Sequence, residues 1–354
     1  DSGGNLNLRT PVLTGEAASV NTMKAGNRLI LSGAGGSAKA DALGAELNLE
    51  ARDVVLDGRI ALASGKLVVK SDDDLTLTGN AQLDLAGRTL PFNDVKKYSW
   101  GGDVSLYSHN GNIRQAAGSR IDLSAQNNQA GNLSAVALAA DAGVVDLQGE
   151  ILGASSGYYD AGGTRVPYKA GGVDIRAQRL GGDLNEQFAA LNQRLNAGQV
   201  FGSRSLQLKQ GDLLIGDGLK AGEVNVSVDN GSLTVGGLVD ASGERVGSIR
   251  LSGKNGLTIS GNAVLDAHGR VLRVDSYGKI IDAPNRAMVE LNSGEGALVL
   301  TSGARIDLRH GTAAVNGPLP GQNDGMLRGT LELNAPRLGV DDIAIDASGP
   351  LTVQ

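Results

Sequence analysis

Apolar and polar residues alternate over short stretches of this chain, and joints containing glycine separate the stretches. Three such stretches follow one another between residues 223 and 242: Glu223-Val-Asn-Val-Ser-Val, Ser232-Leu-Thr-Val and Gly237-Leu-Val-Asp. Alternation with a period of two is the pattern of a β-strand with one buried face. Because strands this short bury too little surface to be stable alone, we expect them to stack on equivalent strands of neighbouring repeats.

The pattern recurs along the chain. The segment 75–87 (LTLTGNAQLDLAG) matches the segment 257–269 (LTISGNAVLDAHG), and looser copies begin at Leu233 and Leu298. Neighbouring copies are separated by about 22 to 26 residues, which is the period of a solenoid. With three strands and three corners in each period, the sequence predicts an all-β chain that coils as a right-handed, three-sided parallel β-helix.

The joints carry glycine and aspartate. Asn230-Gly231, Gly236-Gly237 and Ser242-Gly243 separate the strands of the clearest repeat, and we expect such dipeptides to supply the positive φ angles of tight corners. An Asp directly follows a branched aliphatic residue in six repeats, at Asp84, Asp122, Asp240, Asp266, Asp307 and Asp346. We expect these carboxylates to accept hydrogen bonds from backbone N–H groups. The Gly-Gly-x-Gly-x-Asp repeat of a calcium solenoid is absent, so the sequence predicts neither a metal site nor a cofactor.

Composition and charge narrow the classes of function. Hydrophobic residues make up 41 % of the chain but aromatic residues only 3 %, and 53 residues are Gly, which favours a thin core of branched aliphatic side chains. The net charge is −6, and acidic and basic residues are interspersed along the chain without a basic stripe. This pattern disfavours nucleic acid as a partner. No stretch approaches the roughly 20 apolar residues of a membrane-spanning helix. The absence of Cys excludes disulfides and thiol catalysis.

Four stretches interrupt the periodicity: 88–102, 151–203, 270–287 and 311–328. They hold five of the eight Pro residues and nine of the ten Phe, Tyr and Trp residues. Insertions leave a solenoid at its corners and often carry its binding residues. The predicted organisation is therefore β-helix coils over 1–150 and 206–354, with an extra-helical insertion over 151–205 between them.

The largest interruption contains one predicted helix, over 183–197. Asp183 and Glu186 have the spacing of a capping box, and Gly198 ends the segment. An apolar stripe at helical spacing is formed by Leu184, Phe188, Leu191 and Leu195. We expect the stripe to cover strand edges or the apolar wall of the solenoid; a site for a partner protein is the alternative.

The aromatic residues of the interruptions are the candidate ligand-binding residues. Tyr and Trp side chains on protruding loops can stack against sugar rings, and Trp100, Tyr158, Tyr159 and Tyr168 have this placement. The hypothesis is that they bind a surface glycan or an exopolysaccharide. Packing of the insertions against the solenoid also explains these aromatic residues, and it is the favoured explanation.

The sequence does not favour an enzyme. Gly153-Ala-Ser155-Ser-Gly157 matches the pattern of a nucleophile elbow, but a Gly-rich stretch follows it where a helix is required. The three histidines, His109, His268 and His310, belong to no recognisable catalytic motif. A β-helix polysaccharide lyase or glycosidase is the enzymatic alternative, yet no pair of carboxylates stands out as the acid and base that a glycosidase needs. No catalytic residue is predicted.

Two segments near the C-terminal end resemble a known family. The residues 266–269 (DAHG) with 275–283 (DSYGKIIDA), and the residues 343–351 (IAIDASGPL), are similar to those of large exoproteins of the filamentous haemagglutinin family. The resemblance covers 240–354 best and the rest of the chain by the style of its repeats. The family's secretion domain carries Asn-Pro-Asn-Gly-type motifs, and none occurs here. We therefore expect an interior segment of a longer rod.

The resemblance implies a location and a set of roles. Such proteins are exported by two-partner secretion through a dedicated outer-membrane β-barrel, which would be the partner of the full-length protein. They are extracellular or held at the bacterial cell surface, and they act in adhesion, aggregation or biofilm formation. A passive stalk that displays a distant toxin or receptor-binding tip is the variant of this role that the sequence leaves open.

Overall fold

The computed structural model describes residues 3–36, 40–271, 277, 286–310 and 329–354. The described chain is all-β with one helix, and it divides into two compact units. Unit 1 comprises 1–157, 168–183 and 193–202, and unit 2 comprises 158–167, 184–192 and 203–354. The predicted interruption at 311–328 and most of that at 270–287 lie outside the described residues.

Three parallel sheets line the coils of unit 1. The first sheet contains β2 (Val20–Lys24), β4 (Glu46–Ala51), β7 (Lys66–Ser71), β12 (Asp103–Ser108), β15 (Asn132–Ala137) and β20 (Gly172–Ala177). The second contains β1 (Leu6–Thr10), β3 (Arg28–Gly33), β5 (Asp53–Asp57), β8 (Leu75–Leu77), β13 (Ile113–Gln115), β16 (Val144–Leu147) and β21 (Arg179–Leu180). The third contains β6 (Arg59–Ala61), β9 (Gln82–Asp84), β14 (Arg120–Asp122) and β17 (Glu150–Leu152). A separate antiparallel hairpin joins β10 (Thr89–Phe92) to β11 (Val95–Tyr98).

Unit 2 repeats the same three-sheet arrangement. Its first sheet contains β22 (Ser203–Leu208), β25 (Glu223–Val228), β28 (Ser248–Gly253), β31 (Met288–Asn292) and β34 (Thr330–Asn334). Its second contains β23 (Leu213–Ile215), β26 (Leu233–Val235), β29 (Leu257–Ile259), β32 (Leu298–Leu300) and β35 (Ile345–Asp346). Its third contains β24 (Leu219–Lys220), β27 (Leu238–Asp240), β30 (Val264–Asp266), β33 (Arg305–Asp307) and β36 (Thr352–Val353). The hairpin of β18 (Tyr158–Asp160) and β19 (Arg165–Pro167) and the helix α1 (Leu184–Ala197) complete the chain.

From β4 to β17 in unit 1 and from β22 to β36 in unit 2, the chain visits the first, second and third sheets in that order, which confirms the predicted three-sided parallel β-helix. Glu46 pairs with Lys66, 20 residues further on, and Lys66 pairs with Asp103, beyond the hairpin. The matching segments 75–87 and 257–269 supply the second and third strands of their coils. Each strand in the interior of a sheet thus obtains its hydrogen bonds from the coils on either side of it.

Inward-facing side chains form aliphatic columns that run from coil to coil. In the first sheet of unit 1 the in-register column is Leu49, Val69, Leu106, Ala135 and Ile175, and none of these residues is more than 2 % exposed. Aliphatic side chains thus fill this position on five successive coils. The alternation of polar and apolar residues in the sequence therefore encodes the core directly.

The glycines at the corners differ from the prediction in one physical respect. Gly231, Gly236, Gly237 and Gly243 do not have positive φ angles, so the expectation of left-handed corners at these joints is wrong. The requirement is for space: a Cβ at Gly231 would lie 1.9 Å from the carbonyl oxygen of Gly211, and one at Gly237 would lie 2.6 Å from the nitrogen of Asp217. The neighbouring coil, and not the turn itself, selects glycine at these two positions.

The two interruptions that the structure describes, 88–102 and 151–203, contain two hairpins and the helix. The stretch 88–102 contains the antiparallel hairpin of β10 and β11, as an insertion at a corner. The stretch 151–205 is not one continuous insertion, however, because Gly172–Ala177 pairs in parallel with Asn132–Ala137 and belongs to a coil. Val173, Ile175 and Ala177 are buried there. Their alternation is a strand signal that the flanking Gly and Pro residues obscured.

The helix α1 begins one residue after the predicted start and buries three of the four residues of the predicted stripe, while Leu184 is half-buried. Phe188, Leu191 and Leu195 are 2 to 6 % exposed. In unit 1 the Gly153 amide donates to the Gly198 carbonyl (2.8 Å); in unit 2 the Leu214 amide, on the terminal strand of its sheet, donates to the Asn185 side chain (2.8 Å). The bond to Asn185 satisfies an amide on the edge strand β23, which agrees with the edge-covering role expected for the helix.

One buried cation was not anticipated from the sequence. Arg204 occupies an inward position of β22, where its register partners Val224 and Ile249 are aliphatic, and it is 4 % exposed. Its guanidinium donates to the side chain of Asn192 (2.9 Å). Burial lowers the pKa of Arg204 to about 10. The alternation of the sequence SRSLQL predicts that residue 204 faces inward, but an Arg is rarely buried, so a buried side chain was not expected there.

Candidate functional site

Trp100 and Tyr168 are the two predicted sugar-binding residues that belong to unit 1. Trp100 follows the hairpin of β10 and β11 directly and is 52 % exposed. The buried Ser64 hydroxyl donates to the Trp100 carbonyl (2.6 Å), which fixes the backbone while the indole faces solvent. Tyr168 is half-buried, and its backbone bonds to Gly157 and to the Ser155 hydroxyl.

Tyr158 and Tyr159 are adjacent on β18 and therefore point to opposite sides of the strand. Both are exposed, at 44 % and 39 %, but they cannot form a single stacking surface. The Tyr158 hydroxyl donates to Glu244 (3.0 Å), and the Arg165 guanidinium lies 4.9 Å from its ring centroid. The hydrogen bond to Glu244 raises the pKa of Tyr158. Arg165 covers one face of this ring, so a ligand would stack on the other.

The recurring aspartates form a column on the third sheet of unit 2. Asp240, Asp266 and Asp307 are in register on successive coils. Each accepts a hydrogen bond from the backbone N–H two residues later, at 3.0 to 3.1 Å, which confirms the predicted corner role. Asp122 in unit 1 does the same. Asp346 departs from the prediction, because it pairs with Val299 on the second sheet.

Each aspartate of the column also has a basic partner. Lys220 contacts Asp240 at 3.1 Å and His268 contacts Asp266 at 2.6 Å, while Arg309 binds both carboxylate oxygens of Asp307. Ligand atoms of Asp266, His268 and Asp307 lie within 4.8 Å of one another, so these three are the residues that could approach a divalent cation. Such an ion would have to displace Arg309 from Asp307.

Two of these carboxylates are held in their ionised form. Burial, the largest single influence, opposes the charged form of Asp240, but the hydrogen bonds from Ser242 and Lys220 together outweigh it and lower its pKa. Burial likewise opposes the charge of Asp307, and the bonds from Arg309 reverse the sign and lower its pKa. A glycosidase acid needs a raised pKa. Asp240 and Asp307 are tuned in the opposite direction.

The lowered pKa values predict a loss of stability in acid. The ordinary pKa of these groups is 3.8, so their contribution is complete above about pH 4 and is lost as the pH falls through the lower folded-state values. We expect the urea midpoint of unfolding to fall below pH 4. The double variant Asp240→Asn/Asp307→Asn should flatten this slope, with a control at pH 7 to record the loss of the ion pairs. An unchanged slope in the double variant would contradict the assignment.

The motif around Ser155 does not have the geometry of a nucleophile elbow. The Ser155 hydroxyl donates to the Tyr168 carbonyl (2.9 Å), and the hairpin of β18 and β19, not a helix, follows it. His109 contacts the hydroxyl of Tyr107, and His310 contacts the carbonyl of Val271. In this contact Ser155 is a hydrogen-bond donor to the backbone of Tyr168.

Tyr107 and His109 were not singled out from the sequence, yet they form an aromatic pair on the surface of unit 1. Their ring centroids are 6.4 Å apart, and the Tyr107 hydroxyl lies 3.3 Å from Nδ1 of His109. Tyr107 occupies an outward position of β12 and is 39 % exposed. The signal was a large aromatic residue at a polar position of the alternating pattern, outside every interruption.

The architecture defines a parallel β-helix solenoid, a class of fold that by itself does not specify a function. No family model, curated protein or solved structure matches the chain. Within the residues that the structure describes, no helix is long and apolar enough to cross a membrane.

Proposed function

We propose that this chain is a structural and adhesive rod segment of a large secreted bacterial surface protein, with a role in adhesion, aggregation or biofilm formation. The observation that carries the proposal is that the residues of the core and the exposed aromatic residues lie in different parts of the chain. Aliphatic columns and corner bonds account for the coils, whereas exposed Trp100, Tyr158 and Tyr159 stand on or beside hairpins that leave them. Exposed aromatic side chains on rigidly supported loops suit contact with a glycan.

Export by two-partner secretion is part of this proposal. The resemblance of 266–283 and 343–351 to filamentous haemagglutinin-like exoproteins supports it, and so does the absence of Cys. The partner of the full-length protein is then an outer-membrane secretion β-barrel, and the location is the cell surface or the medium. Coils that form hydrogen bonds mainly with their neighbours can fold one after another as the chain emerges.

Binding to a glycan array tests the adhesive part of the proposal. We expect Trp100→Ala, Tyr158→Ala and Tyr159→Ala to weaken binding of a retained glycan, by roughly tenfold for a residue that stacks on a ring. Tyr158→Phe is the matched control, because it keeps the ring and removes only the hydrogen bond to Glu244. If all three alanine variants bind every glycan as the natural sequence does, the hairpins are not the adhesive surface.

A further inference from the structure

A groove runs along the corner between the first and second sheets of unit 1. Its volume is about 490 Å³. The side chains that define it are Lys24, Glu50, Lys70, Asp72, Tyr107 and His109. None of them belongs to the predicted interruptions. The groove is therefore a surface of the coils themselves, separate from the hairpins.

The strand register places one long side chain of the groove on each of four successive coils. Lys24 pairs with Glu50, Glu50 with Lys70, and Lys70 with Tyr107. At an interstrand spacing of about 4.8 Å, the column from Lys24 to Tyr107 spans about 14 Å along the stack. Between these side chains the groove is lined by small residues such as Ala25 and Ala51. The result is a shallow channel that is several coils long.

The charges in the groove are balanced. The Lys24 ammonium lies 2.7 Å from Glu50, and Lys70 lies 3.9 Å from the same carboxylate. Together with Asp72, the formal charges of these side chains cancel. A balanced site creates no field that would select a nucleic acid or a polyanionic chain. The ammonium groups of the groove donate hydrogen bonds and its carboxylates accept them. A hydroxyl group can both donate and accept, so it can bind to either kind of side chain.

The aromatic end of the groove adds an apolar face. The Tyr107 ring lies at the end of the charged column, and His109 extends its polar side through the contact with the hydroxyl. A sugar ring presents C–H groups on its faces and hydroxyls on its rim, so it can stack on Tyr107 while its hydroxyls reach the polar column. A peptide added as a strand is disfavoured, because β7 and β12 already have paired neighbours on both sides.

We propose that this corner groove binds a linear, uncharged oligosaccharide that lies along the stacking direction, with one sugar ring on Tyr107. The spacing of the coils is comparable to the length of one sugar unit in an extended chain. Successive sugar units would therefore contact side chains of successive coils. The inference rests on the glycan-binding role proposed above but assigns it to the coils. It names both the class of ligand and a site that the hairpin aromatics do not share.

Isothermal titration of the whole chain with defined hexasaccharides tests the proposal. The probes are hexamers of glucose, mannose and N-acetylglucosamine, with an oligogalacturonate hexamer as the charged comparison. We expect at least one uncharged hexamer to bind, and its trimer to bind more weakly. Tyr107→Ala should weaken that binding about tenfold, while Tyr107→Phe keeps the ring and most of the affinity. Glu50→Gln should weaken it by a smaller factor.

The controls separate this site from the hairpins. Val136 pairs with Tyr107 on the next coil, outside the lining of the groove, so Val136→Ala should leave the affinity unchanged. An unaltered urea midpoint for Tyr107→Ala would show that the variant folds. Binding that is lost in Trp100→Ala or Tyr158→Ala but kept in Tyr107→Ala would overturn the groove and leave the proposed function standing. Failure of every uncharged hexamer to bind, or tighter binding of the oligogalacturonate, would also overturn it.

Discussion

We expect Gly131→Ala to unfold the chain at a much lower urea concentration than the natural sequence requires. A Cβ at Gly131 would lie 1.9 Å from the carbonyl oxygen of Gly102 and 2.6 Å from its carbonyl carbon. Both atoms are backbone, so no side-chain rotation can relieve the overlap. The φ angle of Gly131 is not positive, and the effect is therefore one of space alone. We expect a cost on the order of 3 kcal/mol in the free energy of unfolding.

The reason lies in how the coils of unit 1 stack. Gly65, Gly102 and Gly131 each precede a strand of the first sheet at the same register. A Cβ at Gly102 would in turn lie 2.3 Å from the carbonyl oxygen of Gly65. The Asp103 amide donates to that same oxygen at 3.0 Å. A methyl group in this glycine column would therefore push neighbouring coils apart. It would also weaken the adjacent hydrogen bonds between the coils, such as the one from Asp103 to Gly65.

Gly216→Ala is the matched control for the same substitution. No heavy atom lies within 4 Å of a Cβ placed at Gly216, and its φ angle is not positive. We expect the change to be neutral or to stabilise by about 0.4–1 kcal/mol, since alanine restricts the unfolded chain. The urea midpoints of the two variants are compared, provided that the dependence of the unfolding free energy on urea concentration is the same for both. Equal midpoints for Gly131→Ala and Gly216→Ala would contradict the assignment of the glycine column.

The sequence predicts most of the coil but not the contacts between coils. Alternation in the segment 223–240 identifies its three strands correctly, because a residue's own neighbours determine which face it takes. The role of Gly231 depends instead on Gly211, one coil away. The buried Arg204 was missed for a related reason, since its partner Asn192 belongs to the helix. Local patterns carry no information about what a distant coil brings to a position.

The candidate sites show the same limit. Exposure of Trp100, Tyr158 and Tyr159 follows from their place in interruptions, and the structure agrees. The bond from Tyr158 to Glu244 spans 86 residues and could not be read from either segment. Tyr107 was visible in the sequence as an aromatic residue at a polar position. The groove site that we propose for it depends on the strand register, which aligns Tyr107 with Lys24, Glu50 and Lys70.

Two adjacent residues at the end of α1 should respond in opposite directions to substitution. Gln199 has a φ of 55°, the amide of Val200 donates to the carbonyl of Leu195 at 2.9 Å, and that of Gln199 donates to Asn196 at 3.0 Å. This is a Schellman motif with its left-handed residue at Gln199, one position after the Gly198 that the sequence pattern favours as the helix terminator. We therefore expect Gln199→Gly to stabilise the chain by about 1 kcal/mol.

Gly198→Ala should be strongly destabilising for a different reason. The φ angle of Gly198 is not positive, but a Cβ there would lie 1.7 Å from the carbonyl oxygen of Ile151. The end of the helix packs so closely on this strand that a methyl group costs on the order of 3 kcal/mol. The urea midpoints of the two single variants show whether glycine is required at position 198 because of space or because of a left-handed backbone angle. A tolerated Gly198→Ala with a destabilising Gln199→Gly would place the left-handed residue at Gly198, as the sequence pattern alone predicts.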